Sequence, residues 1–281
     1  MSDITASAAP APDSNTDAAR KSLEPVYFRA HGFAPASTML GGWVAAIVIL
    51  GLWQASSSLG FVNSLFLPSP LAVAQALGSL IATGELWQHI SASALRIAVG
   101  WLCGTAAGLI VGFSMGLWSL WRSAGTAIVS ALFPIPKIAL LPLMILWFGI
   151  GEPSKIVTIA LGVFFPTTIA TYSGVDSVPR NLIRMAQSFE VPFFDIVRKV
   201  VLPGALPSIL AGFRISTSFA LLLVVSAEMI GADKGIGVFV LQAGNLMQTD
   251  LLLAGVAVLS LFGLSISRGI GLLEKTVLRW R

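Results

Sequence analysis

An all-α membrane protein with about six transmembrane helices is the fold class this sequence predicts. Of its 281 residues 56% are hydrophobic and only 11% are charged, and the mean hydropathy is +0.86. A soluble domain carries about 25% charged residues, so this chain could not cover its surface against water, and lipid is the expected solvent for much of it. The apolar residues also fall into runs near the 20 or so that one crossing requires. Finally, Lys and Arg gather in alternate connecting segments, as topology signals do.

Residues 1–36, rich in Ala, Ser, Pro and Asp without periodicity, read as a disordered tail. They do not read as a signal peptide, because the first apolar stretch starts near Met39 and is long enough to span. Spans are expected at 38–57, 93–116, 124–149, 155–174, 207–231 and 250–270, within a transmembrane domain covering 37–271. Between the first two, Leu67-Pro68-Ser69-Pro70 precedes an amphipathic segment, Leu71 to Ile90, too polar to span and expected outside, along the interface. Residues 272–281 form a short basic tail. Its apolar Leu272, Leu273, Val277, Leu278 and Trp280 alternate with charges, as on an interfacial helix or an ordinary charged helix terminus.

With the N-terminus inside, 12 of the 17 Lys and Arg lie in inner segments and only Lys155 and Lys234 in outer loops. This count predicts both termini on the cytoplasmic side; localisation in a bacterial inner membrane is expected. The basic residues lack aromatic interleaving, which argues against nucleic acid. Cys103 is the sole cysteine, and His31 and His89 lie in polar connections. No disulfide, metal cluster, cofactor site or catalytic constellation is expected. Inside or near the spans lie Arg96, Lys137, Arg214 and Glu228. Arg96 and Arg214 sit near span ends and are expected to reach the interface. Lys137 follows two prolines that should bend its helix and free carbonyls. Lys137 and Glu228 are candidates for a translocation path or gate, against a structural interhelix role.

The longest inner loop, 180–206, reads as a folded element. Leu182, Met185, Ala186 and Phe189 recur at helical spacing over Asn181–Ser188. Pro192 predicts a break near Glu190-Val191. A second short helix, Phe193 to Val201, is expected to end at Leu202-Pro203. The apolar face of the first helix needs a cover, either the ends of its own spans or a cytoplasmic partner.

Arg184-Met185-Ala186, then Glu190, then Val200-Val201-Leu202-Pro203 resembles the EAA loop of ABC importer permeases: EAA, three residues, Gly, nine residues, Ile, any residue, Leu-Pro. Ala186, Leu202 and Pro203 match and Val200 stands in for Ile, whereas Arg184 replaces Glu and Glu190 replaces Gly. Leu67-Pro68-Ser69-Pro70, Pro134-Ile135-Pro136-Lys137, Leu146-Trp147-Phe148-Gly149, Ser226-Ala227-Glu228-Met229-Ile230 and Gly235-Ile236-Gly237 are similar to phrases of the branch that imports nitrate, sulfonates and taurine. The resemblance implies a type I importer permease for a small polar, anionic solute. Arg184, Met185, Ala186, Phe189, Glu190, Val200, Leu202 and Pro203 would form its ATPase-docking loop. It further implies a permease homodimer, two ABC ATPase subunits and a soluble solute-binding protein. No G-x-x-x-x-G-K-[ST] loop occurs in the chain, so ATP hydrolysis is expected in the separate ATPase. An ion-gradient-driven transporter and a non-transporting scaffold are the alternatives. The prolines of the third span lack a counterpart in the sixth, which weighs against the first of these.

Overall fold

The computed structural model describes residues 39–279. The tail expected over 1–36 lies outside the described residues, as do Trp280 and Arg281 of the tail expected over 272–281. The chain divides into two units that meet inside the first helix, at Gly51 and Leu52. That helix, α1, spans Met39–Ser58; its 20 residues carry no charge and at 1.5 Å each measure about 30 Å, the thickness of a hydrocarbon core.

From Leu52 onward the unit is helical. Its elements are α2 (Pro70–Thr83), α3 (Glu85–Leu117), α4 (Ser119–Leu132), a 3₁₀ turn (Lys137–Leu140), α5 (Leu141–Phe148) and α6 (Glu152–Asp176). There follow α7 (Arg180–Ser188), α8 (Phe193–Ile196), a π turn (Val197–Val201), α9 (Leu202–Gly231), α10 (Ile236–Asn245) and α11 (Thr249–Val277). Among the described residues α3, α6, the stretch Phe193–Gly231 and α11 are each long and apolar enough to cross a membrane, and the bent pair α4 and α5 makes a fifth. With α1, a helical element lies at each of the six predicted spans.

Five glycines on α3 set the centre of the bundle. Gly100, Gly104, Gly108, Gly112 and Gly116 recur every four residues and so share one helix face. They lie against Ile159, Val163, Thr167, Thr171 and Val175 of α6, residue by residue. A Cβ on Gly108 would come within 2.8 Å of Thr167 Cβ, and one on Gly112 within 2.6 Å of Thr171 Cβ. Without side chains in the way the two backbones approach closely, as small-residue stripes allow in membranes.

Both rows increase together, so α3 and α6 are parallel. The chain therefore leaves α3 at one end and must re-enter α6 at the other, which makes the segment between them a full crossing. It does so broken: α4 and α5 meet at 87° across Pro134 and Pro136, where the sequence predicts a single bent span. α9 is antiparallel to α6, with Gly174 at Ala205 and Ser208 and Gly162 at Leu223. α11 returns beside α9, from Gly263 at Leu221 to Arg214 at Glu274, whose Nη2 and Oε2 are 2.8 Å apart.

Two expectations need correction. The amphipathic segment expected to lie along the interface from Leu71 to Ile90 is split at Gly84, which has φ +77. Its first part, α2, is capped by Ser69, whose Oγ accepts from Ala72 N at 3.2 Å. α2 packs its Val73, Ala76 and Leu80 with Leu86, Ile236, Phe239, Ala254 and Val258, so this face is buried in protein. The second part simply extends α3. Leu202-Pro203 does not end the second loop helix: Leu202 N donates to Val197 O, five residues back. The wide π turn absorbs the donor that Pro203 lacks, and the helix continues. α11 itself continues to Val277, which fits the reading of residues 272–277 as a charged helix terminus.

Candidate functional site

The loop at 180–206 forms where α6 and α9 meet at one end of the bundle. α7 ends in a Schellman turn: Val191 N donates to Ala186 O at 3.1 Å and Glu190 N to Gln187 O at 2.9 Å. Glu190 holds φ +55, the left-handed conformation for which glycine is the usual residue at this position. The chain thus makes this turn without a glycine, with Glu190 itself in the left-handed region.

The turn fixes which way each side chain of α7 faces. Ile183, Ala186 and Val191 pack with Val200 against Val175, Val178, Ile196, Val201, Ala205 and Ile209. Met185 and Phe189 face out, 55% and 76% exposed, and Leu182, Phe193 and Phe194 continue the apolar stripe. Arg184, Glu190 and Leu202 are exposed and Pro203 is half-buried. Ala186 and Val200 of the expected docking set thus face their own chain, while Met185 and Phe189 face outward. Beneath the loop, Arg122 Nη2 binds Asp176 Oδ1 at 2.7 Å and Arg180 approaches the same oxygen at 3.5 Å. This joins the start of α4 to the end of α6.

Lys137 occupies the break between α4 and α5. Its Nζ donates to the carbonyls of Leu132 at 2.9 Å, Phe133 at 2.6 Å and Ile135 at 2.9 Å. The 3₁₀ turn and the two prolines free the carbonyls of Phe133 and Ile135, that of Leu132 also accepts from Ile135 N at 3.3 Å, and the ammonium bonds all three. It also lies 4.4 Å from the Phe165 ring centroid and 5.4 Å from that of Phe133.

Glu228 is fully buried at the opposite end from the loop. Its Oε1 accepts from Arg96 Nη1 and Ser93 Oγ, both at 2.7 Å, and its Oε2 from Gly237 N at 2.8 Å. A Cβ on Gly235, at φ +143, would collide with this carboxylate, which explains why a glycine stands there. The two phrases around Glu228 and Gly235 are thus one structural unit. Arg96 does not reach for the interface as expected. It is 4% exposed and its Nε and Nη2 grip Glu152 at 2.6 and 2.7 Å, while Nη1 also donates to Lys234 O at 2.6 Å. Three elements and the 232–236 turn are held by one guanidinium, whose fork suits paired carboxylates. Sequence position alone does not show Arg96 as a junction, because both carboxylates lie far away in sequence. The glycine stripe leaves a visible period of four in the sequence, but not the partner it packs against.

Residues 104–279 match the family model described as binding-protein-dependent transport system inner membrane component. The chain is 40% identical over 240 residues to the putative aliphatic sulfonates transport permease protein SsuC of Escherichia coli, covering 85% of this chain and 90% of that one. It is 38% identical over 240 residues to the taurine transport system permease protein TauC of the same organism, covering 83% and 86%, and 36% identical to the putative SsuC of Bacillus subtilis over 85% and 88%. A solved structure of the MetNI methionine ABC transporter in an inward-facing conformation aligns with a TM-score of 0.51 and 26% identity, covering 66% of this chain and 95% of that one. With more than half its length under the family model, the chain belongs to the binding-protein-dependent transport system inner membrane components.

Proposed function

We propose that this chain is the membrane-spanning permease subunit of an ATP-driven importer that moves a small polar solute bearing a sulfonate head group, of the aliphatic-sulfonate or taurine type, into the cytoplasm. The observation that carries the reading is the outward apolar stripe Leu182, Met185 and Phe189 on a helix whose other side is anchored in its own bundle. A helix held on one face and bare on the other can transmit force from a partner to the spans.

In this reading the loop faces the cytoplasm, together with the basic Arg122, Arg180, Arg184, Arg198, Lys199 and Lys275. α7 seats in an ABC ATPase subunit, two permease copies pair with two such subunits, and a solute-binding protein docks at the end that holds Arg96 and Glu228. ATP and loaded binding protein each favour one conformation and shift the population toward it. Lys137 lines the path. Glu228, sealed among Arg96, Ser93 and Gly237, acts at the outer gate as a latch between helices. The relatives' names supply the solute class, sulfonate and taurine.

The test is uptake into liposomes carrying the permease with its ATPase and binding protein. Uptake of taurine or ethanesulfonate should require ATP and survive collapse of ion gradients. Uptake that persists without ATP and stops with an ionophore would mean a gradient-driven transporter instead.

A further inference from the structure

Lys137 differs from Arg96 and Arg214 in one respect. Arg96 is matched by Glu152 and Glu228, and Arg214 by Glu274. Among the described residues no carboxylate lies within ion-pair distance of Lys137; it has only carbonyls and two aromatic rings. An ammonium has three donors, and three carbonyls fill them. Its hydrogen bonds are therefore satisfied while its charge is not.

This charge opens onto a cavity of about 310 Å³ lined by Phe133, Ile135, Gly162, Phe219, Leu222 and Leu223 together with Lys137. The cavity lies about halfway along the bundle. Gly162 is ten residues into the 25 of α6, roughly 15 Å from its start, and Phe219 and Leu222 lie past the middle of α9. Ligand clefts run from about 300 to 1,000 Å³, so this one takes a small guest. Its remaining lining is apolar and aromatic. A small anion with a short hydrocarbon stem fits both features, the anionic head against the ammonium and the stem against Phe219 and Leu222.

We infer that the cavity at Lys137 is a transient binding site for the anionic head group of the transported solute. The approaching head group takes one Nζ–H from a carbonyl, and the remaining two bonds keep the ammonium in place. The site is weak by construction, because the carbonyls compete with the anion. Weak binding at mid-depth is what passage requires, since a tight site would trap the solute.

This inference rests on the transport reading above, and the experiment separates the two. Uptake of radiolabelled ethanesulfonate is measured in liposomes carrying the complete transporter with wild-type permease, Lys137→Gln or Lys137→Arg. Lys137→Gln should lower uptake at least tenfold although the permease still copurifies with the ATPase, and Lys137→Arg should retain most of it. Lys137→Gln uptake within twofold of wild type overturns the site. Should Lys137→Gln fail to assemble, Leu222→Asp leaves all three carbonyl bonds in place and sets a carboxylate in the cavity. It should depress uptake to the same degree, and unchanged uptake overturns the site. A wild-type transporter that shows no ATP-dependent uptake of any sulfonate overturns the transport reading itself.

Discussion

Arg96 Nη1 and Glu228 Oε1 lie 2.7 Å apart at a point where neither side chain has meaningful contact with solvent. Taking two charges out of water is costly, and their attraction compensates only when the remaining donors and acceptors are also met. Here they are: Ser93 Oγ and Gly237 N serve Glu228, while Glu152 and Lys234 O serve Arg96. Removing one partner should therefore do more harm than removing both. Arg96→Met is expected to destabilise by about 3–5 kcal/mol, the usual cost of stranding a buried charge. Adding Glu228→Gln to it should recover part of that loss. Thermal unfolding in detergent measures both, and an Arg96→Met protein that melts with wild type would show that the junction holds nothing together.

The strain at Glu190 yields a stabilising substitution. A non-glycine residue in the left-handed region costs about 1–2 kcal/mol, and φ +55 places Glu190 there. Glu190→Gly removes that cost but loosens the unfolded chain, which offsets about 0.4–1 kcal/mol. A net gain of about 0.5–1 kcal/mol is expected, and Glu190→Val should melt below wild type because a β-branched residue resists this conformation. The same unfolding assay ranks the three. If Glu190→Gly is the least stable of them, the turn is not as described.

What could be read from the residues alone was whatever depends on near neighbours in sequence. Apolar runs placed the spans, Pro134 and Pro136 placed the break, and the spacing of Leu182, Met185 and Phe189 placed α7. Relations between distant segments were not readable. Arg96 meets Glu152 and Glu228 only once α3, α6 and α9 are packed, so its position near a span end pointed to the interface instead. The offset that sets Gly100 at Ile159 and Gly116 at Val175 is likewise a property of two helices. Ala186 shows the intermediate case: its place on an apolar face was legible, but two apolar directions lie within that face, and packing decides between them. Leu202-Pro203 read as a stop because proline ends most helices, and only the π turn before it lets this one go on.

The glycine stripe invites a matched comparison. Gly112→Leu would drive a side chain into Thr171, and overpacking of this kind costs about 1–3 kcal/mol. Gly78, inside α2, has nothing within 4 Å of its added Cβ. Gly78→Ala should therefore stabilise by about 0.5–1 kcal/mol, the usual gain from replacing glycine within a helix. Opposite shifts in melting temperature are the expected result; shifts of the same sign would mean that α3 and α6 do not pack through this face.

The two faces of α7 separate folding from coupling. Met185 and Phe189 touch solvent, so a paired Met185→Asp and Phe189→Asp change should alter the permease's own stability by no more than about 0.5 kcal/mol per site. In the proposed reading the same change removes the apolar surface on which an ATPase would seat. Copurification with the ATPase should be lost, and with it ATP-driven uptake. Ala186 packs inward, half-buried beside Ile183 and Val191, so Ala186→Asp sets a carboxylate against an apolar contact with no partner for it. It should lower the melting temperature of the isolated permease before any partner is added. Melting curves of the permease alone, set beside pull-down with the ATPase, distinguish the two faces. If Met185→Asp with Phe189→Asp still captures the ATPase and supports uptake, the partner seats elsewhere. If Ala186→Asp leaves melting unchanged, α7 is not anchored through Ala186.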